Sequence, residues 1–359
     1  MSERLPINPM QDQAREQRLF EIRREAESTG QVKVRGIRPQ GAPFPKASPE
    51  DGYYGIPLLK PPQWTHEIPV YFFVGGAAGA AAVIGAIAHY TGADRRLVRD
   101  ARWIAAAGSV ISPALLVSDL GRPSRFLAMM RVFKPQSPMS VGVWTLLGFS
   151  AGASAAAFAE FLRDRYGDGF PVTVLENAGT AASLAFGLPF SNYTGVLIGV
   201  SAIPVWNQNV RDLPIHFAAS GLGAAVGMLE LMGHSKSRAL QALGLGAAIF
   251  ETWEGVRIEA RGHSHLDPLK HGKSGIITRV GGVLSGPIPT ALRIVAALSG
   301  AERSRSLRRL ASVSSIAGSL ITRIAWVQAG HASAKNYRLP LEIPEKTSGG
   351  MLNKLPSSS

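Results

Sequence analysis

Residues 68–90 read IPVYFFVGGAAGAAAVIGAIAHY, an apolar run without a single Asp, Glu, Lys or Arg. As a helix rising 1.5 Å per residue, it covers the roughly 30 Å hydrocarbon core of a bilayer. Small residues crowd its centre, and the same crowding returns at 148–159 (GFSAGASAAAFA) and 220–227 (SGLGAAVG). In lipid, helices attract through close van der Waals approach, which Gly, Ala and Ser permit. The expected fold is therefore all-α, a polytopic transmembrane helical bundle.

Seven further apolar runs follow, at about 98–117, 141–162, 173–206, 214–232, 239–256, 276–298 and 307–329. The run 173–206 holds Pro189 and is expected as one long kinked helix; reading it as two short spans would make nine spans instead of eight. The eight fall into two four-helix halves, 64–210 and 211–332. A polar N-terminal extension, 1–63, precedes them and a C-terminal tail, 333–359, follows. Within the extension, 11–28 suits a charged, weakly amphipathic helix, and the Pro- and Gly-rich stretch 37–63 suits extended chain.

Composition agrees with this class. Only 18% of the 359 residues are charged, against about a quarter in soluble domains. The net charge of +13 does not form a nucleic-acid-binding stripe. It sits in short clusters between apolar runs, such as Arg95, Arg96, Arg99 and Arg102, where the positive-inside rule places it. The first 30 residues lack a signal peptide's apolar segment, so the first span is expected to act as the uncleaved insertion signal. The short basic loops after spans 1, 3, 5 and 7, with Arg303, Arg305, Arg308 and Arg309 the densest, put both termini outside the cytoplasm in an inner (cytoplasmic) membrane. The chain has no cysteine, so neither a disulfide nor an iron–sulfur cluster can be built from it.

Three motifs occur in order. The second span closes on Ser118-Asp119-Leu120-Gly121-Arg122-Pro123; Phe133-Lys134-Pro135-Gln136-Ser137-Pro138-Met139-Ser140 opens the third; Asn192-Tyr193-Thr194-Gly195-Val196-Leu197 lies in the fourth, which ends in Pro204-Val205-Trp206. With the opening of span 1 from Trp64 to Gly79, these resemble the NrfD/PsrC family, membrane subunits of polysulfide-reductase-like complexes. The match covers 64–235 and, more weakly, extends to about residue 330. The resemblance implies a quinone-reactive anchor of a respiratory oxidoreductase that binds menaquinone or ubiquinone. Electrons would pass to or from a ferredoxin-like iron–sulfur subunit, with a molybdopterin catalytic subunit or a multihaem cytochrome beyond it. It also implies that this chain carries no haem or cluster and that the quinone pocket lies among the first four spans.

Quinol chemistry needs groups for the quinone oxygens and acceptors for two protons. His66 and Glu67, where span 1 enters the bilayer, Asp119 at the end of span 2, and Asn192 and Tyr193 in span 4 are the candidates for quinone binding. Alternatives are a headgroup-solvated histidine, a structural Asp119–Arg122 pair, and a helix–helix hydrogen bond from Tyr193. Arg122, Arg125, Arg131 and Lys134 suit docking of the iron–sulfur subunit or contact with lipid phosphate. Trp206 is expected in the interfacial aromatic belt.

Ionisable residues inside the later spans are expensive unless paired or functional. By depth, Glu251 is expected to pair with Arg323 and Glu230 with Arg293; Glu254 lies one turn from Glu251. These five residues could line a proton path, with charge pairing that fixes the helices as the bland alternative. His66 with His216, and His89 with His234, are the pairs that a bis-His haem would require. His263, His265 and His271 lie in a loop. A transporter or proton channel without redox partners is the competing function.

Overall fold

The computed structural model describes residues 17–18, 20–22, 24–25, 59–120, 124–336 and 339. The chain divides into two units, Met1–Ile56 and Pro57–Ser359. In the first, the described positions between Gln17 and Glu25 are helical, and Phe20 and Ile22 are exposed.

In the second unit the described residues form helices: α1 (Glu67–Tyr90), α2 (Arg95–Asp119), the short α3 (Arg125–Met129), α4 (Pro138–Tyr166), α5 (Phe170–Gly199) and the short α6 (Pro204–Asn207). Then come α7 (Asp212–Leu229), which ends in a π-helical turn (Glu230–His234), α8 (Arg238–Ala260), the short α9 (Asp267–Lys270), α10 (Gly272–Ser285), α11 (Pro287–Leu298) and α12 (Ala301–Lys335). Local chemistry sets several ends. Asp94 accepts a hydrogen bond from the Arg96 backbone N–H and caps α2; Ser137 caps α4, with Pro138 in the first turn, where no N–H is needed. Gly167, at φ +83°, ends α4 in a conformation that a side chain would strain.

Among the described residues, seven segments are long and apolar enough to cross a membrane: α1, α2, α4, α5, α7 with its π turn, α10 with α11, and α12. The eighth expected span is α8, whose 23 residues would cover the hydrocarbon core at about 1.5 Å each. It carries Glu251, Glu254 and Arg257 in its second half and falls outside that seven.

Three helix boundaries differ from expectation. The helix through Pro189 ends at Gly199, and Trp206 belongs to the separate α6. The run 276–298 is not one helix: Gly286, at φ −109° and ψ −89°, leaves helical geometry and Pro287 starts the next helix, while a Cβ at Gly286 would lie 2.8 Å from the Thr252 backbone nitrogen. Helix α12 runs to Lys335, past residue 332.

Helices α1, α2, α4 and α5 pack together, as do α7, α8, α10, α11 and α12, and α7 also packs on α1. The small residues set the spacing. A Cβ on Gly152 of α4 would lie 2.6 Å from the Ser183 nitrogen of α5, and one on Gly179 of α5 2.5 Å from the Ala156 nitrogen of α4. The two backbones touch where Gly152 faces Ser183 and Gly179 faces Ala156. The main core runs from Phe72, Phe149 and Phe190 to Trp206, Phe217 and Trp326.

Candidate functional site

At the beginning of α1 the chain brings two carboxylates to one hydroxyl. Thr65 Oγ1 donates to Asp119 Oδ1 at 2.7 Å and also meets Glu67 Oε2, while the Thr65 N–H reaches Asp119 at 3.4 Å. Glu67 in the first turn of α1 sits favourably on the helix dipole; Asp119 in the last turn of α2 does not. Thr65 supplies the donors that offset this. Among the described residues, one O–H and one N–H serve the two carboxylates, which leaves further acceptor positions on both. His66 beside it is exposed.

Trp64 stacks on Trp206 at 5.3 Å and meets Phe72 edge-on at 6.0 Å. Trp206 is 1% exposed and donates from Nε1 to the Trp326 carbonyl at 2.8 Å. It is a core residue, not part of an interfacial belt as expected, because α6 turns inward after Gly199.

Tyr193 is buried, and its hydroxyl donates to the Pro138 carbonyl at the start of α4. Its ring lies over Gly142, where a Cβ would come within 2.0 Å of Tyr193 Cζ. The structure thus gives Tyr193 the helix-to-helix hydrogen bond. Asn192, next to it, is half-buried. Arg122 lies outside the described residues, and Arg125 begins α3. Arg131 and Lys134 are exposed, among exposed Leu127, Val132 and Phe133. The Lys134 N–H donates to Ser140 Oγ, which ties this loop to α4.

At the other end of the same four helices lies a network that the sequence did not reveal. Arg102, 5% exposed, donates to Glu160 at 2.7 Å, Glu176 at 2.6 Å and Thr180 at 3.0 Å, and contacts His89 Nδ1 at 3.2 Å. Arg95 reaches Glu160 at 3.3 Å, and Arg163 pairs with Glu176 and Asp168. Of these groups His89, Arg95, Arg102, Arg163, Asp168 and Glu176 border a cavity of about 490 Å³. In sequence, Arg95 and Arg102 read as loop charges. Because α2 begins at Arg95, Arg102 lies two turns inside the helix, facing α4 and α5. Glu160 and Glu176, carboxylates near the ends of apolar runs, were the available signal.

In the second half, Glu230 and Arg293 meet as depth suggested, through two hydrogen bonds of 2.7 and 2.8 Å, and Ser312 donates a third to Glu230 at 2.6 Å. The expected Glu251–Arg323 pair does not form. Arg323, fully buried, spends its guanidinium on the Phe72, Phe217 and Ser319 carbonyls and the Ser220 and Ser319 hydroxyls. Glu251 accepts from Ser285 at 2.8 Å and faces His216 Nδ1 at 3.6 Å. Glu254 is held by Arg257, which also binds Asp212 at 2.6 Å.

The histidines go separate ways. His89 meets Arg102 and Asn177, His234 meets Asp100 at 2.8 Å, and His66 is exposed while His216 is buried. Among the described residues no group of three or more His, Asp or Glu converges for a metal. His263 and His265 lie close in the loop, and burial together with the neighbouring His263 and Arg261 pushes the His265 pKa down.

No curated protein matches this chain. Residues 59–241, just over half of the chain, match the family model described as polysulphide reductase, NrfD. That stretch holds α1 to α7, and with them both the Thr65–Glu67–Asp119 cluster and the Arg102 network. The chain therefore belongs to the NrfD family, multi-pass membrane subunits of quinone-reactive oxidoreductase complexes.

Proposed function

We propose that this chain is the quinone-reactive membrane anchor of a respiratory oxidoreductase, exchanging electrons between menaquinone or ubiquinone and the clusters of an iron–sulfur subunit. The observation that carries the reading is the convergence of Glu67 and Asp119 on Thr65, beside exposed His66. A quinol at that edge would give up two protons with its two electrons. Each carboxylate has acceptor positions beyond those the Thr65 donors occupy, which suit the quinol hydroxyls, and exposed His66 stands beside them. Asn192 and Tyr193 belong to this reading as lining residues, with Tyr193 acting through the bond that fixes α5 on α4.

The electrons leave through the partner. The exposed apolar residues Leu127, Val132 and Phe133 alternate with Arg131 and Lys134 on the α2–α4 connection, and such a mixed surface suits a protein partner better than lipid phosphate alone. Arg122 and Arg125 belong to the same connection. A molybdopterin subunit or a multihaem cytochrome lies beyond that partner, and this edge, with both termini, faces away from the cytoplasm. In the second half, Glu230 with Arg293, Arg257 with Asp212, and Arg323 with its carbonyls hold helices together instead of passing protons.

The test is quinol-dependent reduction of the clusters in the purified complex. Asp119→Asn and Glu67→Gln are expected to slow it by about 10²-fold or more, the usual scale of general acid–base assistance, with assembly intact. Rates unchanged in both variants would refute the site. A purified chain that carries no iron–sulfur partner and moves protons or solute alone would establish the competing transporter reading.

A further inference from the structure

A second cavity, of about 380 Å³, lies in the other half of the molecule, between α8, α10 and α12. Its size falls in the range of small-molecule sites. Most of its wall is apolar, with Ile258, Leu269, Pro287 and Trp326 among the lining residues. Of the polar side chains that line it, His216, Glu251 and Thr322 are the buried ones, at 5%, 3% and 6% exposure. None is fully satisfied among the described residues. Both ring nitrogens of His216, Glu251 Oε1 and Thr322 Oγ1 have no hydrogen-bond partner. Buried polar atoms nearly always have one, and four such atoms bordering one apolar cavity point to something that fills it.

The surroundings narrow what that is. The cavity opens between α8 and α10, where Val256 and Val283 are 64% and 46% exposed on the face turned to lipid. A ligand therefore enters from the bilayer. Trp326 presents an aromatic wall, His216 packs on its edge at 6.0 Å, and Thr322 lies one turn back on the same helix face. Ser285 holds one oxygen of Glu251 and leaves the other turned toward His216. The free groups include both donors, Thr322 O–H and an imidazole N–H, and acceptors, the other imidazole nitrogen and the carboxylate oxygen. Arg279, the lining cation, is already paired with Glu259 at 2.8 Å, so a fatty-acid or phospholipid headgroup would bring its negative charge to Glu251 and Glu259. A flat ring whose oxygens accept when oxidised and donate when reduced suits all of them.

We propose that this cavity is a quinone-binding site in the second half of the chain, separate from the Thr65–Glu67–Asp119 edge. His216 and Thr322 hold the ring oxygens, Trp326 flanks the ring, and the tail leaves between Val256 and Val283. The proposal rests on the reading of the chain as quinone-reactive and adds a place of binding to it, not a second reaction.

The glycines at the mouth supply the test. A Cβ on Gly255 or on Gly282 would meet nothing within 4 Å, and both residues line the cavity. Gly255→Leu and Gly282→Leu therefore put bulk at the mouth from a Cβ that meets no neighbour, and each replaces a poor helix former with a good one. The full chain in lipid nanodiscs is illuminated with an azido-ubiquinone, and labelled peptides are mapped by mass spectrometry. The expected result is label on peptides containing residues 252–258, 278–287 or 322–326, reduced about tenfold or more by either leucine, while label near residues 64–119 is unchanged. Label confined to residues 64–119 overturns this site and leaves the proposed function standing. Label nowhere sinks both. Second-half label that excess phospholipid or fatty acid removes, and excess ubiquinone does not, assigns the cavity to lipid and overturns the proposal. Should either variant fail to fold, the wild-type map decides alone.

Discussion

Replacing Arg293 by methionine removes one half of a buried ion pair and leaves the other half in place. Arg293 and Glu230 are 4% and 0% exposed at their side chains, joined by hydrogen bonds of 2.7 and 2.8 Å. Gly244 lies against the guanidinium, with room for nothing larger, since a Cβ there would be 2.6 Å from Arg293 Cζ. Methionine fills part of the vacated volume but cannot meet the carboxylate. Ser312 then remains as the one donor to Glu230 among the described residues. Losing one partner of such a pair costs about 3–5 kcal/mol, whereas replacing both by neutral groups is often close to neutral. Arg293→Met should therefore lower the folded-to-unfolded ratio by about 10²-fold or more. The double variant Glu230→Gln/Arg293→Met should recover most of that, giving a coupling of roughly 2 kcal/mol or above in a double-mutant cycle. The assay is unfolding of the purified protein in micelles by titration with a denaturing detergent, followed by helical circular dichroism. Additive effects, or a single variant within about 0.5 kcal/mol of the parent, would show that the pair does not hold α7 to α11.

The same assay separates other contacts. Arg323→Met and Glu251→Gln should combine nearly additively, with coupling well below that of Glu230 and Arg293, because Arg323 is bound to carbonyls and hydroxyls and not to Glu251; strong coupling would restore the pairing expected from depth. Gly142→Ala should destabilise by about 1–3 kcal/mol through overpacking against the Tyr193 ring, whereas Tyr193→Phe, losing one hydrogen bond, should cost about 0.5–1.5 kcal/mol. The reverse order would mean that the ring sits elsewhere. His66→Leu should slow quinol turnover without loss of the complex from the membrane, as read by cluster reduction and by the amount of assembled complex; loss of assembly would make His66 structural.

The run at 68–90 determined the class of this protein by itself. A fixed rise per residue and a fixed hydrocarbon thickness turn length and apolarity into a membrane span without tertiary information. The ordered motifs from Asp119 to Tyr193 gave the family in the same way, and the match over 59–241 agrees. Even the break at Gly286 was legible in Ser285-Gly286-Pro287, but the continuous hydropathy of 276–298 hid it. The rest required packing. Counting along helices gives depth, one coordinate of three, and it placed Glu230 opposite Arg293 correctly. It failed for Glu251 and Arg323, because rotation about the helix axis decides which residues face each other, and that rotation is set by glycine contacts between neighbouring backbones. For the same reason Arg102 read as a loop charge until α2 turned it onto Glu160 and Glu176, and His216, Glu251 and Thr322, 106 positions apart from first to last, shared nothing until three helices enclosed one cavity. Local chemistry fixes where helices start and stop; only the closest approach of their surfaces fixes what their polar side chains meet.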